Sequence, residues 1–186
     1  MNMRKIKTVE SLEGYFLVAM PSMEQSIFQY AVLYIYEHDA SGAMGFIINK
    51  PLPISIADIL RQLCIDDINL KAHTQFLLRG GPMSPDQLYI VKRNNNDPNR
   101  VDLIQPQELM DAFAKGKQLD TTLPILGYAG WSSGQLEREI IKGNNWLICP
   151  AYPEILFDIP MEKRWDACLI GLGIRPDLLV GRIGHA

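Results

Sequence analysis

The sequence predicts one α+β domain, and three features point there. Its first strands are joined by hairpin-like turns, its helices do not alternate regularly with strands, and no βαβ fingerprint opens the chain. With 186 residues there is length for one core and little for two, since a domain of this size buries roughly 70% of the surface its unfolded chain exposes. Apolar residues make up 47% and charged residues 21%, a globular composition rather than a disordered or collagen-like one. No repeat, low-complexity block or linker divides the chain, so residues 1–186 read as a single domain.

Tyr15 to Ala19 reads as the first strand, stopped by Met20-Pro21, and the aromatic and β-branched run Ala31 to Tyr36 as the second. Glu37 to Gly42 is rich in turn residues and leads to the apolar run Met44 to Ile48, which is a hairpin signal. Asn49-Lys50-Pro51-Leu52-Pro53 cannot continue a central strand, because proline offers no N–H to a ladder. A helix starts at Ser55, with Asp58 at capping-box spacing and Ile56, Ile59, Leu60 and Leu63 on one face. Gln75 to Leu78 and Leu88 to Val91 read as strands around Gly80-Gly81-Pro82. Pro106 to Lys115 reads as a helix ended by Gly116, with Leu109, Met110 and Phe113 inward.

After the short apolar run Pro124-Ile125-Leu126, the segment Gly127 to Glu137 leads into a helix from about Gly134 to Lys142, with Ser132 and Gln135 at capping-box spacing. Trp146 to Cys149 is another short strand. A last helix from about Pro160 carries Trp165, Cys168, Leu169 and Leu172 at helical spacing. Glu162, Arg164 and Asp166 read as its charged face, and the chain from Arg175 onward reads as a tail.

Composition also excludes functions. Eighteen basic and twenty-one acidic residues give a formal charge of -3, so no global field draws the protein to nucleic acid or anionic lipid. Lys92 to Arg100, the most basic local stretch, reads as a solvated loop from its Asn, Asp and Pro content. Cys64, Cys149 and Cys168 are far apart and fit no zinc or redox spacing, which predicts core thiols in a reducing compartment. With no signal peptide and no apolar run of membrane-spanning length, the expected location is the cytosol. His38, His73 and His185 have no shared metal spacing, so neither metal nor cofactor is expected.

Gly130-Trp131-Ser132-Ser133-Gly134 is a literal G-x-S-x-G between an apolar run and a helix, the local setting of a nucleophile elbow. Asp158, Asp166 or Asp177 could then orient His185 as the base. Against this, the chain has no parallel α/β sheet to carry an elbow, and His185 is the penultimate residue. Ser132 as a helix cap, with glycines supplying positive φ, accounts for the same residues. Gly80-Gly81-Pro82 matches no phosphate-loop pattern. Glu137 and Glu139 lie two apart on a helix and so point in different directions.

Several segments taken together, Gly42-Ala43-Met44-Gly45-Phe46-Ile47-Ile48-Asn49-Lys50-Pro51, Gly80-Gly81-Pro82, Gly127 through Glu137, Ile155 to Asp158, Glu162 to Trp165 and Gly184-His185-Ala186, resemble the bacterial YqgE/AlgH family from about Leu12 onward. The resemblance implies a mixed, mostly antiparallel bifurcated sheet curled into a pseudo-barrel with flanking helices. It implies proteins mostly of unknown function, some linked by name to transcriptional control of alginate synthesis, and it brings no catalytic residues. After Gly-Gly-Pro, relatives tend to carry Arg, Gly and His where this chain has Gln87, Leu88 and Lys92. The regulatory link transfers poorly, because no helix-turn-helix or basic recognition helix is legible.

The resulting expectation is a non-enzymatic binding or regulatory protein with no cofactor and a protein or small-molecule partner. Its surface would comprise Gly80, Gly81, Pro82, Trp131, Gln135 and Glu137, where glycine turns lie beside a helix N-terminus. A serine hydrolase built on Ser132 is the alternative.

Overall fold

A computed structural model describes residues 11–23, 26–62, 75–97, 100–114, 121–143 and 145–180. Among the described residues nine strands are arranged in one mixed sheet: β1 Tyr15–Ala19, β2 Val32–Asp39, β3 Gly42–Ile47, β4 Pro51–Ser55, β5 Phe76–Arg79, β6 Met83–Arg93, β7 Val101–Ile104, β8 Thr122–Ser132 and β9 Trp146–Pro150. The main path runs β4-β5-β8-β3-β2-β1-β9, while β6 joins both β8 and β7. Every pairing is antiparallel except β5 with β8.

The sheet forks at β8. β5 and β6 both pair with Ile125 and Leu126, so they hold opposite edges of β8 there. From Ala129 to Ser132 the partner becomes β3, and the Ile47 N–H donates to the Gly80 carbonyl at 2.8 Å, which joins β3 to the end of β5. The α+β class and the bifurcation expected from the family resemblance are both present, and the sheet does not close into a barrel.

Helices α1 Ile56–Gln62, α2 Pro106–Ala114, α3 Gln135–Gly143, α4 Pro153–Phe157, α5 Arg164–Gly171 and α6 Pro176–Val180 flank the sheet, with a 3-10 turn at Met161–Lys163 before α5. One core cluster unites Phe16, Tyr34, Phe46, Ile125, Trp165 and Leu169 beneath α4 and α5. A second, on the alternate residues of β1 and β2, unites Leu17, Leu33, Ile35, Trp131, Leu136 and Trp146 beneath α3. This is the period-two division of a strand between two buried faces. A third packs Ile56, Leu60 and Leu109 from α1 and α2 against Leu77 and Ile90.

Local signals explain most boundaries. Ser55 and Asp58 form a complete capping box: the Ser55 N–H and hydroxyl donate to Asp58 Oδ2 at 2.8 and 2.7 Å, and the Asp58 N–H donates to Ser55 Oγ at 3.2 Å. β4, with Pro51 and Pro53, is an edge strand, the place where missing N–H donors do least harm.

Several expectations need correction. The Glu37 to Gly42 turn narrows to Ala40-Ser41, since β2 and β3 pair as far as Asp39 and Gly42. The segment Gly127 to Ser132 is not a helix-entry loop but the second half of an eleven-residue strand; its glycines hid the strand because they weaken the β signal. Residues after Arg175 contain α6 rather than a plain tail. Arg164 does not lie on an exposed charged face. It is 4% exposed, donating from Nε to the Ile159 carbonyl at 3.0 Å and from Nη1 to the Ile48 carbonyl. Cys149 and Cys168 are buried as expected, while Cys64, Leu63, His73, Lys115, Gly116 and His185 lie outside the described residues, as do the side chains of Met110 and Phe113.

Candidate functional site

The Gly-Gly-Pro segment lies at the fork. A Cβ on Gly80 would sit 2.1 Å from the Gly127 carbonyl oxygen, and one on Gly81 would sit 2.2 Å from the backbone carbonyl of Tyr128. Gly127 itself has φ +72° and faces the Met83 carbonyl oxygen, 2.7 Å from where its Cβ would be. Three bare backbones therefore cross where side chains have no room. Beside the crossing is a cleft of about 270 Å³ lined by Ile27, Leu52, Arg79, Gly81, Pro82, Pro85 and Leu126. Arg79 is the one charged group in that lining.

Trp131 is elsewhere. It is 8% exposed and lines a smaller cavity, about 210 Å³, with Glu37, Asp39, Ser41, Gly42, Ala43 and Met44. Gln135 and Glu137 line neither cavity. The six expected site residues therefore divide, with Gly80, Gly81 and Pro82 at the fork and Trp131, Gln135 and Glu137 around the start of α3.

That second group is a hydrogen-bonded network centred on Glu139. Its Oε2 accepts the indole N–H of Trp131 at 3.1 Å and of Trp146 at 3.3 Å, and its Oε1 accepts from Gln135 Nε2 at 3.0 Å. One carboxylate thus ties β8 and β9 to α3. Two residues earlier, Glu137 Oε1 meets His38 Nε2 at 3.1 Å. The Leu12 N–H donates to His38 Nδ1 at 2.8 Å, which places the proton of the neutral ring on Nε2, directed at Glu137. A hydrogen bond with its own backbone N–H, and then the bond from His38, hold the Glu137 carboxyl below the usual carboxylate range. The divergence of Glu137 and Glu139 was legible from helical spacing. His38 and the role of Glu139 were not: His38 meets Leu12 and Glu137 across 26 and 99 residues of chain, and Glu139 reaches tryptophans on the two strands that flank its helix, outside any helical spacing.

Ser132 is engaged in folding. Its backbone N–H and its hydroxyl both donate to Gln135 Oε1, at 3.0 and 3.1 Å, and the neighbouring Ser133 hydroxyl donates to the Ala40 carbonyl at 2.7 Å. Gly134, with φ +66°, makes the turn into α3. Of the acids that could have completed a triad, Asp158 is clamped by Arg93 at 2.8 Å and Asp177 by Arg175. The geometry around Ser132 is that of a helix entry, with the Gln135 amide oxygen accepting from its hydroxyl.

Among the described residues no group of three or more His, Cys, Asp or Glu side chains is placed to hold a metal, and no helix is long and apolar enough to cross a membrane.

Comparison with known proteins places these features in context. A family model described as AlgH-like matches residues 16–177. A UPF0301 protein of Chromobacterium violaceum is 38% identical over 183 residues, covering 95% of this chain and 98% of that one. One from Coxiella burnetii is 38% identical over 176 residues, covering 94% and 97%. The solution structure of the AlgH protein from Pseudomonas aeruginosa superposes with a TM-score of 0.72 at 35% identity over the whole of both chains. A crystal structure from Corynebacterium diphtheriae, at 22% identity and a TM-score of 0.64 over 84% of this chain and 85% of its own, shares the fold.

Proposed function

The chain belongs to the AlgH-like family, and from that premise we propose that it is a non-enzymatic cytosolic binding protein whose ligand enters the cleft at the sheet fork. The observation that carries this reading is the chemistry of that cleft. Ile27, Leu52, Pro82, Pro85 and Leu126 form apolar walls, Gly81 leaves the backbone bare, and Arg79 contributes a single positive charge. Apolar walls with one oriented polar group are the usual composition of a small-molecule site. The matching ligand is a small amphipathic anion, or a partner's side chain of that character, with its apolar body between Leu52 and Leu126 and its charge at Arg79.

Neither of the other two readings has comparable support. The Ser132 hydroxyl donates to Gln135, and no observation supports its use as a nucleophile. A formal charge of -3 supports no direct grip on DNA, so any regulatory role would act through the bound ligand or partner.

The test is titration with the anionic fluorophore 1-anilinonaphthalene-8-sulfonate. Saturable binding by the wild type should be lost in Arg79→Glu and Leu52→Glu, while Glu137→Gln, far from the cleft, should titrate like the wild type. Superimposable curves for all four folded proteins would overturn the assignment.

A further inference from the structure

At the rim of the fork cleft the sheet sets two cations opposite one another. β4 and β5 pair with Pro51 across from Leu78, which puts Lys50 across from Arg79, and the Arg79 N–H donates to the Lys50 carbonyl at 2.8 Å. Residues directly opposite in an antiparallel pair project from the same face, their Cβ atoms about 5 Å apart, and like charges in that position repel. Arg79 lines the cleft, as does Leu52, two residues beyond Lys50. Lys50 is half-buried, and burial holds its ammonium below the ordinary lysine pKa. Neither cation has a side-chain hydrogen bond or ion pair among the described residues.

The cleft wall carries a third donor. Gly81 is buried and lines the cleft, and its N–H has no acceptor among the described residues, whereas the N–H groups of Arg79 and Gly80 before it donate to the carbonyls of Lys50 and Leu126. A buried backbone N–H nearly always meets an acceptor. Against one side of Gly81 stands the Tyr128 backbone, so a partner for this N–H enters by way of the cleft. Lys50, Arg79 and Gly81 thus offer donors alone, and a group that satisfies them brings acceptors and negative charge.

Resting on the fork cleft as the ligand site, we propose that its ligand is a small phosphate monoester, the phosphate held by Lys50, Arg79 and the Gly81 N–H and the apolar body of the ester between Leu52 and Leu126. A phosphate monoester carries close to two charges above neutral pH and three acceptor oxygens, which matches two cations and one further donor. A carboxylate brings a single charge and two oxygens. Arginine meets phosphate as a planar fork and lysine as a point charge, so the two side chains are complementary rather than redundant. The volume of about 270 Å³ and the walls of Ile27, Pro82 and Pro85 restrict the ester to a small molecule with an apolar body.

Isothermal titration at pH 8 with 1-naphthyl phosphate and 1-naphthyl sulfate tests this, since the two share a body and a tetrahedral head and differ by one charge. The wild type should bind the phosphate about fivefold more tightly than the sulfate, the gain from one more partly exposed ion pair. Lys50→Gln should bring the two affinities to within about twofold by weakening the phosphate alone, and its retained sulfate binding reports that the variant is folded. Lys50→Arg should keep the preference, and Arg79→Glu should lose both ligands. Equal affinities in the wild type, or a preference that survives in Lys50→Gln, would overturn the phosphate assignment and leave the cleft as a site for singly charged amphipathic anions. Binding of neither compound would overturn both readings.

Discussion

The α-carbon of Gly81 lies against the backbone of Tyr128 so closely that a methyl group there would stand 2.2 Å from the Tyr128 carbonyl oxygen. Because the obstacle is backbone in the central strand, no side-chain rotation relieves it. Gly81→Ala should therefore destabilise the fold by about 3 kcal/mol or more. Gly171, near the end of α5, has nothing within 4 Å of its would-be Cβ. Gly171→Ala should instead stabilise by about 0.5 kcal/mol through the unfolded chain. Denaturant melts of the two variants should move in opposite directions.

The Ser55 hydroxyl is the largest influence holding the Asp58 carboxyl below its ordinary pKa. A depressed folded-state value means that the carboxylate favours the fold above its unfolded pKa of 3.8, and that this contribution fades as pH falls through the lower folded value. Ser55→Ala should cost about 1 kcal/mol at neutral pH from the lost cap. It should also raise the Asp58 pKa toward the unfolded value in a carboxyl-resolved NMR titration.

Tyr34 titrates in the reverse sense. Burial, then the nearby Glu13 charge, push its hydroxyl up from 10.0 to about 12. The folded state holds this proton after the unfolded chain has released it. The contribution is complete below pH 10 and is lost as pH rises through 12. Tyr34→Phe should flatten the fall in stability between those values, measured by urea unfolding at a series of alkaline pH values.

Glu139 should matter more than its place on a surface helix implies. Glu139→Ala leaves the indole N–H groups of Trp131 and Trp146 without their acceptor, both on residues under 10% exposed. A loss of about 2 kcal/mol is expected, with a change in tryptophan emission, and Glu139→Gln should recover part of both.

Ser132→Ala removes only the hydroxyl bond to Gln135, while the backbone N–H bond to the same oxygen remains. Stability should change by about 0.5 kcal/mol or less. A fluorophosphonate probe should not label Ser132 in the folded wild type; labelling that disappears in Ser132→Ala would restore the hydrolase reading.

Much of the fold was written locally. Ser55 with Asp58, the proline-bearing edge strand, and the spacing of Trp165, Cys168 and Leu169 each depend on neighbours within a few residues, so their patterns survive in one dimension. β7 and α4 escaped notice because Val101–Ile104 and Pro153–Phe157 each combine one acidic residue with three apolar ones, a pattern that sets neither a strand nor a helix period. β8 escaped for another reason: its glycines weaken strand propensity, and only the crossing with Gly80 and Gly81 explains them.

The sequence by itself determined an α+β class, an acidic chain, the starts of α1, α2 and α3 and the family to which the chain belongs. Tertiary structure alone decided that Gly81 and Pro82 share a cleft with Arg79 and that Glu139 gathers two tryptophans. The reason is physical. Helix caps and hydrophobic periodicity act over one or two turns of chain, whereas a cleft arises from residues that only sheet pairing brings within a few ångströms.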